Sequence, residues 1–580
     1  MGNMVSCAKV STRMTGVSIV LFALICVFLG YLLIGERGLY MDDYSARNQT
    51  VNIVTGVYQP SMVPLQARYL ALSLQQNLAG LAKPYELPIR GFFTVMIALN
   101  AALLAWLVYR ILRSRLAAVV SGWLFAVPFI AFEATLWIMQ LGLYVPGVFF
   151  MLVFLHMCLS ALAAERQVAL WAILALAAYI IAILFLEQTA LVAFAVPLLA
   201  LVVAGNGSGV RVRLVRSFVL GVTALALAGL VFGLLYVNNT FLVQSRGGLD
   251  FDPFAVLQRI PQYYERFVWM VTDRDWGRRL TEEAFLLGFD AIRSSLLGMM
   301  LAIAACVLLT LTVWFWQHER QQASPWRALA VLIAGAFWFV VTIAIPGIFV
   351  KGQIIEYRMF YVPLAGACAA VGAFVCLVTR RLDRPAVQKA ALALSGLVAL
   401  FSTVCLTGYC RAYAERYALD QRQIAALHLA LPGEMLPTNA YIIPIDADFN
   451  LFDRKESISK VMTGVFETPW SSSDAIRQAY HRPDLQSLAG NKWSPILISH
   501  QTAQPLGQLV LRTQGTPVLL DRTIFFSYRN GQIQIYEMLA LAQKSGPPQL
   551  VPLPLAQHLH RQEGLLTVKT VTIPAPQIEQ

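Results

Sequence analysis

The chain has 580 residues, of which 58% are hydrophobic and 13% are charged, and its mean hydropathy is +0.62. A soluble protein of this length does not need so much apolar surface, so the composition excludes a water-soluble globular class. The formal net charge is +12, but many Arg and Lys residues stand in short loops between apolar segments, where they orient membrane helices. This placement argues against nucleic-acid binding.

The first apolar segment, Val17–Ile34, follows two basic residues, Lys9 and Arg13. It is longer than the apolar region of a typical secretory signal, and no small-residue cleavage site follows it. We therefore predict an uncleaved first transmembrane helix.

Apolar runs of about 18–22 residues, long enough to cross the hydrocarbon core of a bilayer, recur along the chain. They predict a polytopic α-helical membrane protein with about eleven transmembrane helices. The predicted spans are 16–35, 92–112, 116–134, 142–163, 168–186, 189–207, 217–236, 294–315, 328–346, 359–379 and 390–409.

The basic residues between these spans indicate an orientation. If the N-terminus is cytoplasmic, all the basic clusters fall on the cytoplasmic side, in agreement with the positive-inside rule. These clusters are Lys9/Arg13, Arg110/Arg113/Arg115, Arg166, Arg211/Arg213/Arg216, Arg320/Arg327 and Arg380/Arg381/Arg384/Lys389.

Three longer segments then lie outside the cytoplasm: a first outer loop, 36–91, a second, 237–293, and everything after 410. The last segment changes character, because polar turns separate short strand-like runs such as YIIPI and QIQIY. This pattern predicts a soluble extracytoplasmic α/β domain over 411–580. Residues 1–410 form the predicted transmembrane domain.

The eight cysteines all stand in or beside apolar segments, and none of them has CxxC spacing. A disulfide framework or a zinc site needs regularly spaced cysteines, so we predict buried thiols instead.

Ionisable residues gather where the predicted helices meet the outer side. Such residues are costly in or near a membrane span, so those that are retained are candidates for function. Their asymmetric placement predicts a reaction site that faces outward. They are Asp42, Asp43, Glu133, Glu187, Lys351, Glu356 and Arg358.

Four stretches resemble motifs of one family, the GT-C superfamily of membrane glycosyltransferases, in the branch of protein O-mannosyltransferases and aminoarabinose transferase-like enzymes. The resemblance covers about residues 16–410. Tyr357 separates Glu356 from Arg358, which departs from the family pattern, and no tetratricopeptide repeat follows the last helix. The stretches are MDDY (41–44), QARYLALSLQQNLAGLAKPYELPIRGFF (66–93), PFIAFEATLWI (128–138) and EYRMFYVPLAG (356–366).

The resemblance implies a GT-C-like catalytic domain over 1–410 that moves a sugar from a polyprenyl-phosphate carrier to an acceptor hydroxyl, with inversion. The acceptor is a glycan, a lipid or a protein. One carboxylate suffices as the base in such a reaction. By resemblance this base is Asp42, with Asp43 orienting the acceptor. The other interpretation is an acidic loop without chemistry.

The departing phosphate needs positive charge at a helix end, where a low dielectric constant strengthens the interaction. The predicted donor-phosphate residues are Arg358 with Lys351, followed by Arg68 and Lys83. An interfacial anchor is the competing interpretation for Arg358. The predicted sugar- or acceptor-binding residues are Glu133, Trp137, Glu356 and Tyr357.

No cofactor is expected, and a divalent metal is not favoured, because the DxD patterns of this chain are short enough to arise by chance. The implied location is the bacterial cytoplasmic (inner) membrane, with the C-terminal domain in the periplasm or outside the cell. The amphipathic segment 263–280 is predicted to cover the site or contact the lipid carrier.

Two alternatives stay open. The first is a polysaccharide ligase or polymerase that uses an undecaprenyl-diphosphate-linked glycan. The second is a protein without enzymatic activity that binds or transports glycans. A transporter is disfavoured because almost no ionisable residue stands at the middle of a predicted span.

Overall fold

The structure is a computed structural model. It describes the membrane part of the chain more continuously than the C-terminal part. The described residues are 2–35, 37–38, 69–202, 210–238, 258, 261, 265, 268, 277–319, 324–349, 357–447, 458, 462, 464–467, 469–487, 498–499, 508–511, 517–529, 532–541, 549–553, 555 and 568–573.

Long helices dominate the first four hundred residues. Two compact units divide the chain: Met1–Glu36 with Pro60–Arg411, and Arg37–Gln59 with Ala412–Gln580. The helices are α1 (Gly2–Tyr31), α2 (Tyr69–Leu112), α3 (Arg115–Ala126), α4 (Phe132–Leu136), α5 (Ile138–Ala163), α6 (Val168–Phe185), α7 (Val196–Val202), α8 (Val210–Asn238), α9 (Gly277–Ser294), α10 (Leu296–Phe315), α11 (Pro325–Phe349), α12 (Tyr361–Leu382) and α13 (Pro385–Ala430).

Within the described residues, ten segments are helical, long and apolar enough to cross a membrane. The polytopic helical class is therefore confirmed, with one fewer described span than the sequence indicated. The ten segments are Met14–Tyr31, Glu86–Leu112, Arg115–Leu136, Gln140–Ala163, Val168–Phe185, Arg211–Gly233, Leu296–Phe315, Pro325–Thr342, Tyr357–Leu382 and Pro385–Ala430.

The span predicted at 189–207 is the one that differs. A 3₁₀ segment, Glu187–Ala195, is followed there by the short helix α7, and 203–209 lie outside the described residues. The Thr189 amide and hydroxyl both donate to the Leu186 carbonyl, at 3.0 and 2.7 Å, which favours the tighter turn. Pro197 fits only in the first turn of an α-helix, so α7 begins beside it.

Parts of the predicted outer loops are helical. Helix α2 begins at Tyr69, well before the apolar run at 92, and α9 occupies 277–294. Hydropathy misses both, because these stretches combine helix-forming Leu, Ala, Gln, Glu and Arg with too much polarity to resemble a membrane span.

Polar contacts hold together one end of the membrane helices. Glu319 accepts hydrogen bonds from the backbone amides of Arg115 and Leu116, at 2.9 and 3.2 Å, at the start of α3. Gln388, near the start of α13, accepts from the Glu319 amide at 3.0 Å and donates to its carbonyl at 2.8 Å. Residues 114–116, 316–319 and 383–389 are called the Glu319 end below.

The second unit combines helices with two sheets, which confirms the α/β character predicted for this region. Parallel and antiparallel pairs make one sheet in the order β2-β1-β6-β7-β8, with β9 beside β7, and β3-β4-β5 form a second sheet. The strands are β1 (Tyr441–Ala447), β2 (Gln486–Ser487), β3 (Ile498–Ser499), β4 (Gln508–Leu511), β5 (Pro517–Leu519), β6 (Thr523–Arg529), β7 (Gln532–Leu541), β8 (Gln549–Pro552) and β9 (Val568–Ile573), with helix α14 at Pro469–Tyr480.

Candidate active site

Four of the predicted site residues are described with their side chains, and all four lie at one end of the membrane helices. They are Glu133, Trp137, Tyr357 and Arg358. Lys83 belongs to α2, but its side chain lies outside the described part. The remaining predicted residues also lie outside it: Asp42, Asp43, Arg68, Lys351 and Glu356.

A break between α3 and α5 positions Glu133 and Trp137. Pro128 follows the end of α3, a 3₁₀ turn covers Phe129–Ala131, and Glu133 lies in the five-residue helix α4. The backbone of Trp137 is extended, with φ −77° and ψ 121°. Trp137 therefore separates the end of α4 from the start of α5. Glu133 is half-buried at this interruption.

Arg358 comes from a distant part of the sequence and meets both of these residues. It lies in the 3₁₀ turn Tyr357–Phe360 that leads into α12. Its backbone amide donates to Glu133 Oε2 at 3.2 Å, and its guanidinium carbon lies 5.2 Å from the centre of the Trp137 ring. The structure thus joins a predicted phosphate-binding residue to two predicted sugar-binding residues.

An aromatic layer supports this group from the side of the bundle. The Phe132 ring stacks on Tyr409 with centroids 3.9 Å apart and packs against Tyr357 at 5.0 Å. All three rings are buried, and the Tyr357 hydroxyl has no hydrogen-bond partner among the described residues. A buried hydroxyl without a hydrogen-bond partner has a cost in folding free energy.

Arg90 is a component of the site that sequence reasoning missed. Its side chain is 3% exposed; Nη1 donates to the Leu136 carbonyl at 2.6 Å, and Nε donates to Glu86 at 2.6 Å. The pairing fixes the end of α4 directly before Trp137. The four-residue spacing of Glu86 and Arg90 indicates an ion pair on one helix. The contact of Arg90 with the Leu136 carbonyl involves a backbone atom, and no sequence motif indicates it.

Residues 129–137 and 357–361 are called the Glu133 end below. A half-buried guanidinium over an aromatic face, beside a carboxylate, offers donors for phosphate oxygens and acceptors for hydroxyl groups. Partial burial reduces the local dielectric constant and makes each charge interaction stronger than in water. The arrangement suits a ligand that carries both a phosphate and several hydroxyls.

Comparison with known proteins gives distant structural likenesses. No protein-family model and no curated protein matches the chain significantly. It is similar to the crystallised oligosaccharyltransferase of Archaeoglobus fulgidus with Zn and sulfate, at 13% identity and TM-score 0.38, over 82% of this chain and 62% of that chain. The chain therefore spans less than two thirds of the length of that protein.

A second solved structure, ArnT from Cupriavidus metallidurans bound to undecaprenyl phosphate, is similar at 15% identity and TM-score 0.32. The match covers 81% of this chain and 89% of that chain. At such scores neither likeness assigns a function or a residue role to this chain.

Proposed function

We propose that this protein is an inverting glycosyltransferase of the GT-C type, which moves a sugar from a polyprenyl-phosphate carrier to an acceptor hydroxyl at the outer face of the membrane. The observation that carries the proposal is the contact of Arg358 with both Glu133 and Trp137. It unites in one place the residue types that a sugar phosphate requires.

Arg358 stabilises the departing phosphate. As the bond between the anomeric carbon and the phosphate oxygen breaks, negative charge grows on that phosphate. A guanidinium fixed beside it favours the transition state over the ground state. The packing over Trp137 limits the conformations of the side chain, so less entropy is lost when it binds the phosphate.

Glu133 and Trp137 hold the sugar. The Arg358 amide occupies Glu133 Oε2 and orients the carboxylate, which accepts hydrogen bonds from sugar hydroxyls. We assign Glu356 and Tyr357 to the same task, because Tyr357 brings a buried hydroxyl into this group and Glu356 precedes it in the chain.

Asp42 is the proposed base. It takes the proton of the acceptor hydroxyl as the acceptor oxygen bonds to the anomeric carbon from the face opposite the phosphate. The products are the glycosylated acceptor and the free polyprenyl phosphate. Asp43 orients the acceptor, and Lys351, Arg68 and Lys83 add positive charge for the carrier; that the reaction needs no metal stays a prediction.

The proposed setting follows from the helices. Ten described spans indicate a multi-pass membrane protein, and the basic clusters favour a cytoplasmic N-terminus. With that orientation, the Glu133 end is proposed to face the periplasm or cell exterior. The bacterial inner membrane is the proposed location, and its lipid-linked sugars are the proposed donors.

The test is transfer by the purified full-length protein in liposomes, with radiolabelled undecaprenyl-phosphate sugars as donors and a cell-envelope extract as the source of acceptors. The account predicts transfer from the monophosphate donor and its abolition in Asp42→Asn, with an unchanged melting temperature, because a base is lost without a change in shape. Wild-type transfer by the variant would remove Asp42 from the mechanism. Transfer from an undecaprenyl-diphosphate glycan alone would replace the proposal with a ligase or polymerase.

A further inference from the structure

Arg110 is a half-buried cation in the last turn of α2, and the proposed reaction does not use it. Its guanidinium turns toward α5: Nη1 donates to the His156 carbonyl at 3.0 Å, and Nη2 donates to Ser160 Oγ at 3.2 Å. An arginine near the end of a membrane helix usually extends toward water instead. The contacts with α5 therefore hold this charge against the side of the helix bundle.

The His156 ring supplies no negative charge to balance Arg110. Its Nε2 lies 2.9 Å from the Leu103 carbonyl oxygen, which can only accept, so Nε2 carries the proton of a neutral ring. Nδ1 then accepts from Arg110 Nη1 at 3.2 Å. The ion pairs among the described residues do not include Arg110. A half-buried cation without a counterion is costly, so an anion bound from outside the chain would stabilise it.

Part of the guanidinium remains available to such an anion. Nη1 makes both of its contacts with His156, and Nη2 makes one with Ser160. Nε–H and the second N–H of Nη2 make no hydrogen bond to a described residue. These two groups lie on one edge of the planar guanidinium, in the fork geometry that binds two oxygens of a phosphate.

Trp106 connects Arg110 to the exposed face of α2. Its ring centre lies 5.5 Å from the guanidinium carbon of Arg110, and the ring stacks on His156 with centroids 4.3 Å apart. Trp106 is 53% exposed, and Leu99, about two turns earlier on the same face, is 47% exposed. In a membrane helix such a face contacts acyl chains, and an exposed Trp is typical of the level of the lipid headgroups.

We propose that Arg110 binds the phosphate of an anionic phospholipid, in the leaflet at this end of the helices. The phosphate oxygens accept from Nε and Nη2, and an acyl chain lies along the face of α2 that carries Trp106 and Leu99. Arg113, exposed just beyond the end of α2, adds a second positive charge. Two positive charges favour a lipid with a net negative charge over a zwitterionic one. The exposed apolar residues beside the charge favour a lipid over a soluble phosphate, and the inference does not depend on the proposed transferase activity.

The experiment measures the affinity of the full-length protein in detergent for three probes. Native mass spectrometry is used for phosphatidylglycerol and phosphatidylethanolamine, and calorimetry for inorganic phosphate. We expect the wild type to bind phosphatidylglycerol most tightly. Arg110→Met should bind it about tenfold more weakly, because a charge-assisted pair of hydrogen bonds is lost. Arg110→Lys keeps the charge without the planar fork and should lie between the two.

The matched control is Arg380→Met, which removes an exposed arginine from the same end of the helices and should keep wild-type affinity. Equal affinities of Arg110→Met and Arg380→Met for phosphatidylglycerol overturn the site. Wild-type binding of inorganic phosphate as tight as that of phosphatidylglycerol overturns the assignment of a lipid. Equal affinity for phosphatidylethanolamine overturns the selectivity for negative charge.

Trp106→Leu is a second variant that leaves the charge in place. Because Trp106 is exposed, its replacement does not open the core of the bundle. We expect about threefold weaker binding of phosphatidylglycerol, because the ring no longer holds the guanidinium. Melting temperatures measured in parallel identify an Arg110 variant that has lost affinity by unfolding. In that case Trp106→Leu decides, and its wild-type affinity would overturn the proposal.

Discussion

The two ends of the membrane helices use polar residues in different ways. Helices α3 and α12 each run between the Glu319 end and the Glu133 end. At the Glu319 end, Gln388 is completely buried, and both its amide oxygen and its amide nitrogen have partners, on Trp316 and Glu319. At the Glu133 end, a buried tyrosine hydroxyl lacks a partner among the described residues, and charged side chains are half-buried.

We interpret the difference as one between polar groups that support the fold and polar groups that are candidates for ligand binding. Glu319 gives its carboxylate to the first amides of α3, which is what an unpaired helix start requires. Arg358, in contrast, donates its backbone amide to Glu133, and its guanidinium lies over the Trp137 ring at an interrupted helix. Side chains that pair with unpaired backbone amides stabilise the fold. Charged side chains that lie over aromatic rings at an interrupted helix are suited to binding a ligand.

The largest expected effect is the loss of activity in Arg358→Ala. We expect transfer to fall by about 10²–10³-fold, because a fixed positive charge at the departing phosphate is lost. Arg358→Lys restores part of the rate, since it keeps the charge without the planar donor fork. Transfer is compared per folded molecule, so that a change in stability is not read as a change in rate. Transfer assays and thermal unfolding check both statements.

A matched control uses the exposed Arg293, which pairs with Asp290 at 3.6 Å on the surface of α9. Arg293→Ala removes the same charge from the chain and is expected to retain wild-type transfer. Equal losses in both alanine variants would mean that net charge near the membrane, not the contact with Glu133 and Trp137, governs the rate.

The second effect is on stability at the opposite end. Glu319→Ala leaves the first amides of α3 without their acceptor, which should cost about 0.5–2 kcal/mol and lower the melting temperature by roughly 2–4 °C. The transfer rate per folded molecule stays at the wild-type value. Thermal unfolding and active-site-normalised assays measure the two quantities. The exposed Glu165, between α5 and α6, provides the control variant Glu165→Ala. A loss of transfer rate in Glu319→Ala but not in Glu165→Ala would contradict the assignment of a purely structural role to the Glu319 end.

The smallest effect extends the comparison to the second unit. Arg482 donates to Asp484 and to the carbonyls of Gly433, Leu436 and Pro437, and the amide of Asn439 donates to Asp484 at 2.9 Å. Pairing with Arg482 lowers the pKa of Asp484 from 3.8 to about 2. Because the folded pKa is the lower one, this pairing stabilises the protein above about pH 4 and is lost as the pH falls toward 2.

We therefore expect Asp484→Asn to lower the melting temperature by roughly 1–2 °C at neutral pH, because a partly exposed ion pair contributes about 0.2–1 kcal/mol. The gap to wild type should shrink below pH 4 and close near pH 2. Melting curves across this range test the statement, with the exposed Asp521→Asn as control. A difference in melting temperature that persists at pH 2 would show that the packing of the Asp484 side chain, and not its ionisation, stabilises the protein.

Much of the helical framework could be predicted from the sequence, because a bilayer imposes a minimum apolar length on each span. Glu133, Trp137 and Arg358 could also be identified as candidates from the sequence, because charged and aromatic residues beside apolar runs are easy to recognise. Hydropathy could not reveal the 3₁₀ segment Glu187–Ala195, since a 3₁₀ turn and an α-helix can have the same apolar composition. The close approach of α9 and α13 at Gly288 and Gly408, where an added Cβ atom would overlap the facing backbone carbonyl oxygen, depends on which helices meet. No local sequence pattern shows that.

The measurement that tests the central claim most directly is a structure of the protein with a bound polyprenyl-phosphate sugar. We expect the phosphate to lie within hydrogen-bonding distance of the Arg358 guanidinium, with the sugar against Glu133 and Trp137. A phosphate bound at the Glu319 end, beside Arg384 and Lys389, would contradict this proposal.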